Sequence, residues 1–548
     1  MGSQRQSGPA KADGPVNREP YMSFLKTVAV SVFALAAAVP AFAATPADTL
    51  VIADAIDDVI SLDPAEVGEV GGVLTTQQIY QPLITFNPAN PSEIVGVLAE
   101  SWAVSEDGRT ITFTMNPDAV FASGNPVTAF DAEYSLRRVV QMGSRTAFII
   151  TQFGIDMDNV EEAIRATDER TLVITAGDAY APSFLLYCLS SYVGGIVDSK
   201  IVREHEVGGD YGNAWLKQAN SAGSGPYVLN RWDPKQSILL TRNDNFWGEA
   251  PGVERLFIQH MPESATQRLA LERGDIDIAN KLGPDDFDAI KDNGDISILD
   301  GRSGTIYYMG LNVRNENLAH PEVVEALKYL VDYEGIAENI GRGTLAVHQT
   351  LVPDGFLGAI DYAPYTLDVA RARDLLDKAG VGPFTLDTVV WNVPPYTDFA
   401  QAVQATMAEA GVTLNLEVVD GGQWLERYRS HSLDVWVGLW GPDYPDPHSN
   451  AKAFAVNRDD APDGSDSLAD RFGWDAGPLS PLAMEAVREQ DTETRRKIYE
   501  DIQRVHTDTS PFLYMFQEVR KVALRANVQG LVLGPTFSDD RYGSVTKQ

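Results

Sequence analysis

The sequence predicts an α/β protein with two lobes, and three observations support this prediction. Residues 367–440 alternate strand and helix patterns of the length that βα units require. About 505 residues follow a predicted export signal, more than one ordinary hydrophobic core accommodates. Extended apolar runs at 304–312 and 511–516 flank the segment that we assign to the second lobe. We expect a discontinuous first lobe, residues 44–305 plus 511–548, enclosing a second lobe of residues 306–510.

The segment 22–43 has the pattern of a cleavable export signal. Lys26 precedes the apolar run TVAVSVFALAAAV, which is too short to span a bilayer, and a small-x-small pattern ends at Ala43. We predict cleavage after Ala43 and a periplasmic location. No cysteine follows the signal where a lipid anchor would need one, so no lipid anchor is expected. Residues 1–21 are polar and resemble a tag or a misassigned start.

Composition narrows the possible partners. The only cysteine, Cys188, lies in the run FLLYCLSSY, so an intrachain disulfide is impossible and the thiol is predicted to pack as a small hydrophobe. The formal net charge is −34, and it becomes −36 when the four basic and two acidic residues of segment 1–43 are removed. This charge argues against nucleic acid and anionic lipid as partners, because both require a basic surface.

The first part of the predicted mature chain contains a strand, TLVIAD, and then a Gly-rich loop at 66–72. Further on, residues 110–115 alternate threonine with apolar side chains, the pattern of a half-buried strand. Thr128 is followed three residues later by Asp131, which predicts a capping box at the start of an amphipathic helix. The sequence from residue 110 to the helix after Thr128 therefore predicts a strand, a turn and a helix.

Residues 367–440 predict a largely parallel sheet. A helix ends at Gly380, the strand TLDTVVW follows, and a second helix precedes the next strand. One face of that strand is expected to carry Val412, Leu414, Leu416 and Val418. A short helix around Trp424 leads to a last strand that ends at Trp440. In open sheets of this kind, ligands bind beyond the carboxyl ends of the strands.

Short motifs occur in a fixed order along the chain. They are Leu62-Asp63-Pro64, the segment 98–136, Gly-Pro-Tyr at 225–227, Arg-Asn-Asp-Asn-Phe-Trp-Gly at 242–248, Leu-Glu-Arg-Gly-Asp at 271–275, the aromatic run 304–312, and Trp-Gly-Pro-Asp-Tyr-Pro-Asp-Pro at 440–447. This series resembles the family-5 solute-binding proteins, the dipeptide, oligopeptide and nickel receptors of ABC importers, over roughly residues 49 to 540.

The resemblance implies a type II periplasmic-binding-protein fold of the large cluster-C kind, with crossover strands forming a hinge. It implies a monomeric periplasmic receptor that closes on a small solute and delivers it to an inner-membrane ABC permease. No cofactor, metal or catalytic residue is expected.

The loop after Trp440 is the strongest candidate for ligand contact. It places Asp443 between Trp440 and Tyr444, and a carboxylate flanked by rings suits a cationic amine. In peptide-binding members of the family, the acid matching Asp443 receives the α-ammonium group of the ligand. The alternative is that Asp443 and Asp446 cap turns, a role that we favour only for Asp446.

The stretch 391–398 lacks the arginine that the family's dipeptide receptors use for the ligand carboxylate. Trp391 and Tyr396 offer a stacking surface instead, or they pack in the core. The solute could then be a longer peptide, another amine, an opine, an oligosaccharide or a metal chelate. The remaining predicted ligand contacts are Glu69, Gly71, Tyr227 and Tyr308.

Other functions have weaker support. An exported two-lobe hydrolase is the rival class, but the sequence contains no P-loop, no Gly-x-Ser-x-Gly elbow and no histidine pair at i and i+4. A sensor of the same fold that contacts a membrane receptor is a second rival. Residues 459–470 partly fit a calcium loop, but position 3 is Ala461 and position 12 is Asp470, so we favour a solvated acidic loop.

Overall fold

The computed structural model describes residues 45–87, 90–392, 395–457, 467–534, 536 and 540–548. The predicted tag-like segment, the export signal and its cleavage site lie outside the described residues, as does most of the candidate calcium loop. Among the residues described, no helix combines the length and the apolar character that crossing a membrane requires.

The strands are listed here in chain order. They are β1 (Thr49–Asp54), β2 (Ile84–Asn87), β3 (Asn90–Gly96), β4 (Ala99–Val104), β5 (Thr110–Met115), β6 (Ile164–Ala166), β7 (Thr171–Thr175), β8 (Tyr227–Asp233), β9 (Ser237–Arg242), β10 (Arg255–His260), β11 (Ile278–Ala279), β12 (Ile296–Leu311), β13 (Leu345–Val347), β14 (Phe384–Trp391), β15 (Val412–Val419), β16 (Val435–Trp440), β17 (Phe512–Arg525), β18 (Val528–Gln529) and β19 (Thr546–Lys547).

The helices connect these strands. They are α1 (Val70–Ile79), α2 (Ala129–Met142), α3 (Phe148–Thr151), α4 (Val160–Ala163), α5 (Pro182–Ser190), α6 (Ser199–Glu204), α7 (Asn213–Leu216), α8 (Ser264–Arg273), α9 (Pro284–Ile290), α10 (Pro321–Lys328), α11 (Tyr333–Ile336), α12 (Val369–Ala379), α13 (Tyr396–Glu409), α14 (Gly421–Arg429), α15 (Pro447–Ala455), α16 (Leu468–Arg471), α17 (Leu479–Ala486) and α18 (Thr492–Thr509). Short 3₁₀ turns occur at Arg145–Ala147 and Tyr192–Gly194, and a π turn at Ala337–Gly341.

In the described part of the chain, the main sheet has eleven strands in the order β15-β14-β16-β12-β17-β11-β1-β10-β9-β8, with β13 also paired to β17. The antiparallel strands β12 and β17, of 16 and 14 residues, lie at its centre. Ile296 is opposite Arg525 at one end of this pair, and Gly310 is opposite Phe512 at the other. The pair therefore joins β14–β16 on one side to β1 and β8–β11 on the other. A separate four-stranded sheet has the order β4-β5-β7-β6.

Most of the local predictions are confirmed. β14 is parallel to both β15 and β16, and α12 ends at Gly380, which has a left-handed φ of 70°. Thr128 and Asp131 form the predicted capping box of α2. The predicted face of β15 is present, and burial along it decreases from Val412 and Leu414, which are buried, to Val418, which is 50% exposed.

The buried apolar side chains form four clusters. The largest is drawn from residues 306–516 and includes side chains of β12, β14–β17, α10, α12 and α13. A second cluster lies around the four-stranded sheet, α2 and α5, and it also contains Tyr444 and Val487. The other two lie on opposite faces of β1, which contributes Leu50 and Ile52 to one and Val51 and Ala53 to the other.

A buried ion pair attaches the Leu62-Asp63-Pro64 turn to α2. Both guanidinium Nη atoms of Arg138 donate to the Asp63 carboxylate at 2.7 Å, and the two side chains are 1% and 0% exposed. Asp63 also accepts from Asn213 Nδ2 at 2.9 Å and from the backbone N–H of Ala65 at 3.0 Å. These bonds fix the start of the short segment 66–69, which leads into α1.

We predict that Asp63→Asn lowers the free energy of unfolding by about 3–5 kcal/mol, because it leaves the charge of Arg138 buried without its partner. Urea unfolding followed by tryptophan fluorescence measures this. The control is Glu100→Gln, which removes the exposed pair of Glu100 with Arg170, 45% and 48% exposed, and should cost less than about 1 kcal/mol. Equal losses for the two variants would contradict the prediction.

Candidate ligand-binding site

The loop that carries Asp443 follows β16 directly, at the carboxyl end of the parallel strands β14–β16. Asp446 caps α15 by accepting from the backbone N–H of His448 at 2.9 Å. Its two carboxylate oxygens also accept from Arg495 of α18 at 2.7 and 2.8 Å. The capping role that we favoured for Asp446 is confirmed, and the ion pair adds a second anchor for the loop.

Arg495 also connects the loop that follows β16 to α5, in the first part of the chain. Its Nη1 donates to Ser183 Oγ at 3.0 Å, next to the start of α5, and its Nε donates to the carbonyl of Ala486 at 3.0 Å. Tyr444 packs in the same direction, with its ring 5.8 Å from that of Phe184 and 2% of its surface exposed. The loop is therefore held between α18 and α5.

Asp443 is half-buried between these anchors. Burial raises the pKa of its carboxyl to about 6, although the charges of Arg145 and Lys452 and a hydrogen bond from the Tyr192 hydroxyl act in the opposite direction. The Tyr192 hydroxyl is buried, and desolvation together with the Asp443 charge raises its pKa well above the usual value. The carboxylate thus lies in a poorly hydrated place where charge complementarity counts strongly.

The Gly-rich loop lies near this carboxylate. The charge of Glu69 contributes to the raised pKa of Tyr192, so Glu69 is within electrostatic reach of the hydroxyl that bonds to Asp443. Gly71 is buried, and a Cβ there would lie 3.2 Å from side-chain carbons of Ile56 and Val59. The predicted loop 66–72 ends at Glu69 because α1 begins at Val70, and Gly71 allows close packing of the first turn of that helix.

The aromatic residues of β14, α14 and β16 form a continuous stack. The Trp391 ring is 5.3 Å from Trp424, Trp424 is 4.1 Å from Trp436, and Trp436 is 4.2 Å from Tyr428. Tyr396 packs edge-on against Trp424 and is 4% exposed. Trp391 and Tyr428, at the two ends of the stack, are both half-buried, and Trp391 lies at the carboxyl end of β14.

The structure places two predicted contacts elsewhere. Tyr227 is 1% exposed, and its hydroxyl donates to the carbonyl of Val253 at 3.3 Å. Tyr308 is 0% exposed and packs edge-on against Phe454. Both tyrosines belong to hydrophobic clusters; Tyr227 lies on the buried face of β8, and Tyr308 lies on the central strand β12, where both faces are buried. Trp440 is half-buried and directly precedes the site loop.

Sequence reasoning missed three residues that act on Asp443, namely Arg145, Tyr192 and Lys452. Arg145 and Tyr192 each begin a 3₁₀ turn in the first part of the chain, and Lys452 lies on α15. No motif marks them, because their proximity to Asp443 arises only when distant segments fold together.

The described residues contain no group of three or more histidine, cysteine, aspartate or glutamate side chains that could hold a metal ion. Cys188 is buried and accepts from Gln152 Nε2 at 3.3 Å. Burial raises the pKa of its thiol well above the usual value, which is the opposite of what an activated nucleophile needs.

The chain matches the bacterial extracellular solute-binding proteins, family 5 Middle, over residues 93–461, and it belongs to that family. The family consists of binding proteins, not enzymes.

Individual relatives extend over nearly the whole chain. The sequence is 29% identical over 500 residues to the Probable D,D-dipeptide-binding periplasmic protein DdpA of Escherichia coli (strain K12), covering 90% of this chain and 93% of that protein. It is 27% identical over 487 residues to the Nickel-binding periplasmic protein of the same strain, covering 83% and 88%.

Solved structures share the fold. The periplasmic binding protein DppA from Helicobacter pylori, in complex with the peptide STSA, superposes with a TM-score of 0.76 at 22% identity, covering 91% of this chain and 98% of that one. The protein MoaA from A. tumefacien R10, in complex with mannopinic acid, gives 0.75 at 21% identity, covering 92% and 100%. The predicted periplasmic-binding-protein fold is confirmed.

We predict that Asp443→Asn raises the thermal unfolding temperature at pH 7.5, because it removes a charge that folding desolvates. The folded pKa of about 6 exceeds the ordinary 3.8, so the wild type loses stability as the pH rises from about 4 to about 6. The difference between variant and wild type should therefore grow across this range and then level off.

The contrasting control is Asp446→Asn, which should lower the unfolding temperature at pH 7.5 because it leaves Arg495 buried without its partner. Differential scanning calorimetry from pH 4 to pH 8 measures both variants. A lower unfolding temperature for Asp443→Asn at pH 7.5 would contradict the prediction, because it would show that the wild-type carboxylate stabilises the folded protein.

Proposed function

We propose that this protein is exported to the periplasm, captures an amine-bearing, peptide-like solute at Asp443, and delivers it to the inner-membrane permease of an ABC importer. The main support for the proposal is the half-buried carboxylate of Asp443. Burial raises the pKa of this carboxyl to about 6. Such a group is costly in the free protein, and an ammonium ion would offset that cost.

The proposed mechanism is closure about a hinge formed by β12 and β17. The first part of β12, up to Gly301, pairs with the end of β17 from Arg520 onward, next to the clusters around β1. The last part of β12, from Ile306, pairs with the start of β17 inside the 306–516 cluster. Changes in backbone angle near the irregular register between Arg302 and Ile306 would rotate one cluster relative to the other.

The two proposed lobes are residues 44–305 with 511–548, and residues 306–510. Tyr192 and Arg145 act on Asp443 from the first of these, and Asp443 and Lys452 belong to the second. A solute bound between them would contact both lobes and so favour the closed state, which the permease would recognise. We propose that the receptor acts as a monomer.

The names of the relatives support an amine-bearing solute but do not select one. Among them are proteins described as binding D,D-dipeptides, dipeptides and nickel, and one solved relative holds mannopinic acid. We place peptide-like solutes first and opines second, because Asp443 with Trp440 beside it suits an ammonium group. Oligosaccharides and metal chelates are the alternatives that the next experiment tests.

Thermal-shift screening of peptides, opines, oligosaccharides and metal chelates tests the solute class. Compounds with an ammonium group should raise the unfolding temperature, because they bind the folded state only. A set of stabilising compounds dominated by uncharged sugars would contradict the amine role of Asp443.

We predict that Asp443→Asn weakens binding of the best amine by about 2–5 kcal/mol, because the isosteric amide keeps the shape of the site but loses its charge. For the wild type, affinity should fall as the pH decreases through about 6, since protonation removes the charge of Asp443. Calorimetric titration from pH 5 to pH 8 measures both effects.

The control for this prediction is Asp434→Asn, since Asp434 lies at the opposite, amino end of β16 and its carboxylate bonds to Asn315 and to the backbone of Asp387. It should leave affinity and its pH dependence unchanged. Wild-type affinity in Asp443→Asn would contradict the proposed function.

A further inference from the structure

We propose that the turn between α17 and α18, residues 487–491, is a latch that holds the two proposed lobes together before any solute binds. Its residues set how often the site opens, and thereby the affinity for the solute, without touching the solute themselves. The proposal rests on the proposed closure about β12 and β17, but it does not depend on the amine role of Asp443.

The turn belongs to the proposed second lobe, but one of its side chains lies in the core of the first. Val487, the residue after α17, is 1% exposed and belongs to the hydrophobic cluster around the four-stranded sheet, α2 and α5. Apart from Tyr444, the other buried members of that cluster come from residues 65–196. An apolar side chain of the second lobe is therefore inserted into the first.

Three polar contacts join turn 487–491 to the segment 177–181, which leads into α5. Each has its donor and its acceptor on different proposed lobes. They are the Ala181 N–H to the Val487 carbonyl at 2.8 Å, Gln490 Nε2 to the Tyr180 carbonyl at 2.9 Å, and Arg488 Nε to Asp178 Oδ2 at 2.8 Å. Gln490 also packs closely against Gly108, where a Cβ would lie 2.6 Å from its Oε1. Separation of the lobes would break all of these contacts.

Each half of the latch is also attached within its own lobe. Asp491 caps α18 by accepting from the backbone N–H of Thr494 at 2.8 Å, which fixes the end of the turn. In the first lobe, the Gly177 N–H donates to the carbonyl of Phe153 at 2.7 Å and fixes the start of the segment 177–181. Each lobe therefore keeps its half of the latch in shape when the lobes separate.

The contacts are of a kind that can open and close. Two of the three polar contacts are neutral hydrogen bonds, and the ion pair of Arg488 with Asp178 has side chains that are 41% and 54% exposed. Single contacts of these kinds contribute little, and their groups can bond to water in the open state. Arg495, which also crosses to Ser183, keeps both bonds to Asp446 within the second lobe, so its buried charge keeps its partner.

Such a latch changes affinity through the closed population of the free protein. A solute between the lobes contacts both of them only in the closed state, and the latch favours that state in advance. A variant that opens the free protein should therefore weaken binding by the factor by which its closed population falls. The latch residues are in this sense positioning residues for the binding site.

The first test measures opening of the solute-free protein. Val487→Cys is treated with N-ethylmaleimide, and peptide mass spectrometry follows labelling at position 487 and at Cys188, which is buried in the same cluster. We expect the introduced thiol to react about tenfold to a thousandfold more slowly than free cysteine, because the open state is the minor one. It should still react faster than Cys188, which is exposed only by unfolding of the first lobe.

Charge variants test whether the contact itself holds the lobes together. In the Val487→Cys background, Asp178→Arg places two arginines opposite each other and should raise the labelling rate about threefold. Adding Arg488→Asp restores opposite charges and should return the rate toward that of the parent. A purely structural role of either side chain would not produce this rescue.

Val487→Asp tests opening of the whole molecule by small-angle X-ray scattering. It should increase the radius of gyration of the solute-free protein, because the new carboxylate reaches water only in the open state. Its unfolding temperature should stay close to that of the control Val505→Asp, the same substitution at a valine of α18 that is 45% exposed. The control should keep the wild-type radius of gyration.

Three results would overturn the latch. An introduced thiol that reacts as fast as free cysteine would show that the free protein is already open, and the proposed closure on a solute would remain. An unchanged labelling rate in Asp178→Arg, or no rescue by Arg488→Asp, would show that this contact does not hold the lobes. A thiol that reacts no faster than Cys188, with a lower unfolding temperature but no larger radius for Val487→Asp, would show a permanent contact, and the proposed closure would fail as well. Because these measurements use no solute, the amine role of Asp443 is tested separately.

Discussion

The buried ion pair between Asp446 and Arg495 is the interaction on which the candidate site depends most. It joins the loop after β16 to α18, and through Ser183 it reaches α5 in the first part of the chain. Buried pairs of this kind contribute little net stability, because desolvation offsets most of their attraction, but they impose one geometry. Here the pair fixes the position of Asp446 and thereby constrains Asp443, which lies three residues earlier on the same loop.

Asp443 and Asp446 show how burial gives two acids on one loop different roles. Asp446 has a guanidinium and a backbone N–H for its oxygens, so its charge is satisfied within the protein. Asp443 has one tyrosine hydroxyl and two more distant cations, and burial keeps its pKa raised. Under the proposed function, a cationic ligand would offset the unfavourable desolvation of Asp443 in the free protein.

The fold could largely be predicted from the sequence, because local patterns determine it. The capping box at Thr128, the glycine at the end of α12 and the alternation of β14–β16 are short-range signals, and all of them were read correctly. The loop with Asp443 could also be predicted as the candidate site, because ligands of such sheets bind beyond the carboxyl ends of the parallel strands. The order of the short motifs along the chain is sufficient to indicate the family.

Other parts of the site could not be predicted, because they depend on tertiary contacts. Tyr227 and Tyr308 were predicted to contact the ligand, but the packing around β8 and β12 buries both side chains in hydrophobic clusters. Arg145 and Tyr192 lie in short turns with no motif, about 300 and 250 residues before Asp443 along the chain, and their relevance appears only through their charges and hydrogen bonds.

The central claim is that the solute presents an amine to Asp443, and identification of the natural solute tests it most directly. The protein can be purified from its own host without refolding, and native mass spectrometry then gives the mass of any compound that it carries. The compound, once released by denaturation, is treated with an amine-reactive tag. The account predicts a released compound that gains the mass of the tag. A bound compound without any amine, such as a neutral oligosaccharide, would contradict it.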